Sequence, residues 1–211
     1  MNTAMSPLEL TILVLEFVGT AAFALSGILA ALRKNFDLVG VVLVALAAAF
    51  GGGTLRDVLI GRQPFYWVQN EALIWALLLV CVLLPLWLRN RDLSSDSRFL
   101  LIADAVGLGI FTAISAGFAL EQGFSLLLAA SIGALAAIAG GILRDILVNE
   151  VPVVFSDHRP YATVAFFGGL AVVASEGIAI IPEAKLLIAT GLIVLVRLLA
   201  IRFDWRLPRW R

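Results

Sequence analysis

Apolar residues in this chain fall into long blocks separated by short polar breaks. Seven blocks stand out, running approximately Leu8 to Leu32, Leu38 to Ile60, Ala72 to Leu88, Phe99 to Leu120, Phe124 to Val148, Tyr161 to Ser175 and Ala184 to Ile201. Blocks of about 17 to 25 residues suit an α-helix crossing roughly 30 Å of hydrocarbon at about 1.5 Å per residue. The pattern therefore predicts an all-α integral membrane protein with seven transmembrane helices in a single membrane domain, residues 1–211.

Composition agrees with the pattern. The chain is 62% hydrophobic and 14% charged, with a mean hydropathy of +1.04, which excludes an ordinary soluble domain. No Lys or Arg precedes the first block and Arg33-Lys34 follows it, so it reads as a retained span rather than a cleaved leader. Cys81 is the lone cysteine and His158 the lone histidine. With no thiol pair and no metal-ligand cluster, nothing indicates an enzyme, a cofactor or redox chemistry.

The formal net charge is zero, but the basic residues are unevenly placed. Alternating the loops puts Arg33, Lys34, Arg89, Arg91, Arg98, Arg159, Arg202, Arg206, Arg209 and Arg211 on one side, against Arg62 and Lys185 on the other. Lys/Arg excess marks the cytoplasmic face, so the N-terminus is expected outside and the C-terminus in the cytoplasm. The basic tail, with Trp205 and Trp210, reads as an anchor at lipid headgroups rather than a nucleic-acid site.

A repeat underlies the blocks. Gly51-Gly52-Gly53-Thr54-Leu55-Arg56-Asp57 returns as Ala139-Gly140-Gly141-Ile142-Leu143-Arg144-Asp145, an offset of 88 residues. The same offset pairs Glu16 with Asp104, Gly19 with Gly107, Phe23 with Phe111, Phe36 with Phe124 and Pro64 with Pro152. Repeat one is expected at about 8–89, repeat two at about 99–177 and the seventh helix at about 184–203. Three spans per unit make the two copies inverted, which places binding or permeation sites near the midplane.

The repeated phrase is the candidate site. Ala45, Ala49 and Gly53, like Gly133, Ala137 and Gly141, recur every fourth residue, a spacing that lets helix backbones approach closely. Consecutive glycines weaken a helix by roughly 1 kcal/mol each, so Gly51, Gly52, Gly53, Gly140 and Gly141 are expected to kink or unwind it. Freed carbonyls of Gly51, Gly52 and Gly140 would then be available to a monovalent cation.

Arg56, Asp57, Arg144 and Asp145 each cost about 2.5 to 3.5 kcal/mol at the centre of a span on insertion scales, so pairing or hydration must offset them. Neighbours on a helix point about 100° apart, which favours a more distant partner for Arg56, with Glu16 and Asp104 as the candidates. Ser26 and Ser115 lie in matching contexts and are possible pore-lining residues, although a serine in a membrane helix commonly bonds its own backbone.

The glycine-Arg-Asp phrase, its second copy and the three-plus-three-plus-one spans resemble the bacterial members of the TRIC (trimeric intracellular cation) channel family, whose sequences also carry a glycine-transporter label. The resemblance covers roughly Leu8 to Ile201. It implies a homotrimer in the bacterial inner membrane, contacted by membrane lipids, with one pore per subunit along kinked second and fifth helices. It also implies conduction of K⁺ and Na⁺, with no cofactor and no nucleic-acid partner. The alternative is a secondary transporter of a small solute such as glycine, since carriers also use inverted repeats and broken helices.

Overall fold

The computed structural model describes residues 5–88 and 97–208. Arg89, Arg91, Arg209, Trp210 and Arg211, which entered the charge and tail arguments, lie outside the described residues. The regular structure is helical: α1 (Pro7–Arg33), α2 (Leu38–Leu59), α3 (Glu71–Leu88), α4 (Ser97–Glu121), α5 (Leu126–Leu147), a short α6 (Val153–Ser156), α7 (Ala162–Ala174), a 3₁₀ turn (Ser175–Gly177) and α8 (Pro182–Arg202).

Helix ends follow local chemistry. Ser6 and Glu9 form a capping box at α1, with Ser6 N donating to Glu9 Oε2 at 2.7 Å and Pro7 opening the first turn. Asp37 and Ser125 cap α2 and α5 through the backbone N–H groups of Gly40 and Leu128. The offset of 88 reappears in the turns. Asn35 and Gly123, and likewise Gly61 and Asn149, have positive φ just past helix ends, the left-handed region used to stop a helix.

Five helices, α1, α2, α4, α5 and α8, are long and apolar enough to cross a membrane, and α3 and α7 are shorter apolar helices. The thirteen residues of α7 rise about 20 Å, short of the roughly 30 Å of hydrocarbon. Exposed apolar side chains such as Trp75, Leu79, Leu83, Leu135 and Leu192 are what a helix facing lipid requires.

Helix association in lipid relies on close packing rather than on expelling water, and the glycines supply it. Gly19 lies against Phe111, Gly107 lies against Phe23, and the Phe23 and Phe111 rings pack at a tilt of 37° with centroids 5.5 Å apart between α1 and α4. A side chain on Gly52 would strike the Ala136 carbonyl, and one on Gly140 would strike the Ala48 carbonyl. Since Ala48 meets Gly140 while Gly52 meets Ala136, α2 and α5 cross antiparallel with backbones touching.

This seam corrects the expected unwinding. α2 is unbroken across Gly51, Gly52 and Gly53, and α5 is unbroken across Gly140 and Gly141. A carbonyl inside an unbroken helix accepts the N–H four residues on, so those of Gly51, Gly52 and Gly140 are not freed for a cation. Close approach to a neighbouring helix offsets the propensity cost of the glycines.

Candidate functional site

The last turns of α2 and α5 each carry an arginine followed by an aspartate, and both pairs are buried. Arg56 Nη1 donates to Glu16 Oε1 at 2.8 Å, linking α2 to α1. Arg144 Nη1 donates to Asp104 Oδ1 at 2.6 Å, linking α5 to α4. These are the two carboxylates singled out from the repeat, one for each arginine.

The adjacent aspartate is also bound. Arg56 Nε donates to Asp57 Oδ1 at 2.8 Å, and Arg144 Nε donates to Asp145 Oδ1 at 2.8 Å. The objection that neighbours on a helix diverge therefore fails here. The long guanidinium arm folds back while its far end reaches the other helix, so one arginine spans both carboxylates.

Each second aspartate oxygen pins a loop. Asp57 Oδ2 accepts from Tyr66 N and Asp145 Oδ2 from Val153 N, both at 2.8 Å. The segments after α2 and α5 are thus folded back onto the clusters, and α6 begins where the second is fixed. Hydropathy gives no sign of this fold-back, because a hydrogen bond from backbone to carboxylate leaves no mark in it.

Two tyrosines complete the clusters. The Tyr66 ring occupies the space a side chain on Gly53 would need, and Tyr161 Oη lies 2.9 Å from where a Cβ on Gly141 would sit. Tyr66 Oη pairs with Thr20 Oγ1 at 3.0 Å. Tyr66→Phe removes that bond and is expected to cost about 1–2 kcal/mol, read as a lower melting temperature in detergent. An unchanged midpoint would show that the hydroxyl pair is dispensable.

Tyr66, Tyr161 and Thr20 escaped the sequence reading because the two tyrosines do not share the offset of 88: Tyr66 follows Pro64 closely, whereas Tyr161 stands well beyond Pro152. Arg197, in α8, has no counterpart in the repeat to mark it out. It is buried, lies over the Tyr161 ring at 4.7 Å, and donates from Nη1 to Pro160 O at 2.8 Å. Its Nη2 reaches Asp157 Oδ2 at 3.4 Å. Burial pushes the Asp157 carboxyl up, but hydrogen bonds and charge from Arg159, with Arg197, hold it below the usual carboxylate range.

The two serines differ. Ser26 Oγ donates to Phe23 O at 2.8 Å and accepts from Arg144 Nη1 at 3.0 Å, which brings α1 into the second cluster. Ser115 is buried, and its Oγ has no hydrogen-bond partner among the described residues. Asp104 Oδ2, Arg56 Nη2 and Arg144 Nη2 are likewise buried without one. The hydrogen-bonded groups of each cluster are two carboxylates and one guanidinium, with a further guanidinium close by, Arg62 sharing the Phe118 ring with Arg56 at the first and Arg197 over the Tyr161 ring at the second. Buried polar atoms without a protein partner favour ordered water nearby.

A family model described as glycine transporter matches the chain twice, at residues 13–89 and 101–176. Its second match starts 88 residues after the first. Over 194 residues the chain is 34% identical to a UPF0126 membrane protein of Vibrio cholerae, covering 92% of this chain and 80% of that one. It is 32% identical to the inner membrane protein YadS of Escherichia coli, covering 92% and 93%.

Among solved structures, the TRIC trimeric intracellular cation channel orthologue from Rhodobacter sphaeroides superposes with a TM-score of 0.83 at 35% identity, covering 92% of this chain and 98% of that one. A prokaryotic TRIC channel determined in 0.5 M KCl gives a TM-score of 0.85 at 26% identity, covering 94% and 99%. The repeated Arg-Asp clusters, the helical membrane fold and these likenesses converge: this chain is a multi-pass bacterial membrane protein and belongs to the TRIC channel family.

Proposed function

We propose that the protein is a monovalent cation channel, passing K⁺ and also Na⁺, with one conduction path per subunit of a homotrimer. The observation that carries this reading is the pair of buried clusters, Glu16-Arg56-Asp57 and Asp104-Arg144-Asp145, each with one carboxylate more than guanidinium. The likeness to proteins described as trimeric cation channels supports it. In this reading the chain spans the bilayer seven times as two inverted three-helix units plus α8, with the N-terminus outside and the C-terminus in the cytoplasm of a bacterial inner membrane.

The path follows α2 and α5. Because these helices cross antiparallel, Arg56 and Arg144, each one turn past a seam glycine, lie on opposite sides of the crossing, and each cluster serves one membrane leaflet. The carboxylates raise cation occupancy in each half, and the seam at Gly52 and Gly140 is the constriction between them. Arg56 and Arg144 tie down the carboxylates and repel a cation that approaches too closely. Gly51, Gly53 and Gly141 shape the contact, while Asp57 and Asp145 also hold the loops. Ser26 and Ser115 offer hydroxyl oxygens along the path.

Purified protein in planar bilayers with a KCl gradient should give unitary current steps that reverse near the cation equilibrium potential. Glu16→Gln keeps the shape and an acceptor for Arg56 while removing one negative charge, and should move the reversal potential toward zero. Saturable counterflow of glycine without unitary steps would replace the channel reading by the carrier one.

A further inference from the structure

Two cavities adjoin where α1, α4, α7 and α8 meet, the first sharing Phe118 with the first cluster, whose Arg56 lies 5.1 Å from that ring. One, of about 250 Å³, is bordered by Glu121, Glu176 and Lys185 with Leu8, Phe118 and Pro182. The other, of about 570 Å³, is an apolar groove between α7 and α8 lined by Val164, Phe167, Ala171, Ile188, Leu192 and Val196 among others. Ser175 and Lys185 line both. A charged chamber thus opens into a long apolar groove at the start of α8, while the groove's far end reaches Pro160 and Val196, toward the other end of both helices.

The charges in the chamber are mixed. Lys185 Nζ stands 4.0 Å from Glu176 Oε2, the outer limit of an ion pair, and its side chain is 18% exposed, while that of Glu176 is 62% exposed. The ammonium is loosely held and near the groove mouth. Two carboxylates and one ammonium do not suit a purely anionic group, which would meet Glu121 and Glu176 unfavourably. They suit a group carrying both signs, with a phosphate at Lys185 and an ammonium at Glu176 or Glu121. The groove supplies the apolar tail's share, with a volume in the range of built ligand pockets.

We propose that this pair of cavities is a binding site for an amine-bearing zwitterionic phospholipid, phosphatidylethanolamine in chemical class. One acyl chain lies in the α7–α8 groove and the headgroup lies in the chamber, its phosphate on Lys185 and its ammonium on the carboxylates. Its test reads lipid retention and not current, so its failure leaves the channel reading untouched.

The full-length protein in detergent, titrated with dioleoyl phosphatidylethanolamine or dioleoyl phosphatidylglycerol and read by native mass spectrometry, tests it. Wild type should retain the ethanolamine lipid about tenfold more strongly than the glycerol lipid. Lys185→Ala should weaken retention of both lipids, and Glu176→Gln should narrow the preference. Ala171→Trp, placed on an exposed position of the groove, should fill it and displace lipid while leaving the helical circular dichroism and the oligomeric state as in wild type. Equal retention of the two lipids by wild type, or retention unaffected by Ala171→Trp, overturns the proposal. Dissociation of the oligomer by Ala171→Trp also overturns it, by making the groove a contact between copies.

Discussion

Arg144→Ala is expected to cost the protein about 3–5 kcal/mol, the usual consequence of removing one partner from a buried ion pair. In the native structure Arg144 contacts Asp104, Asp145 and Ser26 at once. Its removal leaves Asp104 with no guanidinium bonded to it, at 1% exposure, in a bundle surrounded by lipid. Asp145 keeps the bond from Val153 N, so the larger penalty falls on Asp104.

The expected result is a collapse in yield and a melting temperature lowered by several degrees in detergent. Adding Asp104→Ala should restore part of the loss, because the uncompensated charge disappears with its partner. A double-mutant cycle measures that coupling. If the single variant melts with wild type, the cluster is not holding the bundle, and its charges must be balanced by groups other than those described.

Gly52→Ala should also be damaging, by a smaller amount and for a different reason. On helix propensity alone, alanine for glycine gains up to about 1 kcal/mol. Here the added methyl group enters the Ala136 carbonyl across the seam, and backbone on both sides leaves nothing to rotate away. Overpacking of this kind costs about 1–3 kcal/mol, so the net sign is destabilising, and separation of α2 from α5 should change unitary conductance.

Gly117→Ala is the control. Its Cβ would meet nothing within 4 Å, so the propensity gain stands alone and stability should hold or rise. Equal melting temperatures for Gly52→Ala and Gly117→Ala would remove the seam from the account.

Much of this was legible beforehand. The offset of 88 residues puts Glu16 and Asp104 forward as partners for Arg56, because a buried charge must find an opposite one and the repeat offers few. That Glu16 serves Arg56 while Asp104 serves Arg144 is decided by the packing of the helices. Ala45, Ala49 and Gly53 on one face announced a close helix contact, and they are buried. The same glycines suggested unwinding, since propensity counts the cost of a glycine within its own helix and is blind to what a second helix gains by approaching it.

Hydropathy and charge patterns by themselves determined that this chain lives in a membrane, where its helices begin and end, and that its costly residues come in two matched sets. Those are local or additive properties, summed along the chain. The tertiary structure alone decided that each arginine grips two carboxylates, that Tyr66 and Tyr161 fill glycine-made hollows from different register positions, and that Arg197 reaches across from α8 to Tyr161 and Asp157. These depend on pairwise geometry between segments far apart in sequence, where an ångström of separation decides whether a bond exists. The phrase of glycine, arginine and aspartate marks a place where two helices touch and two charges are tied down.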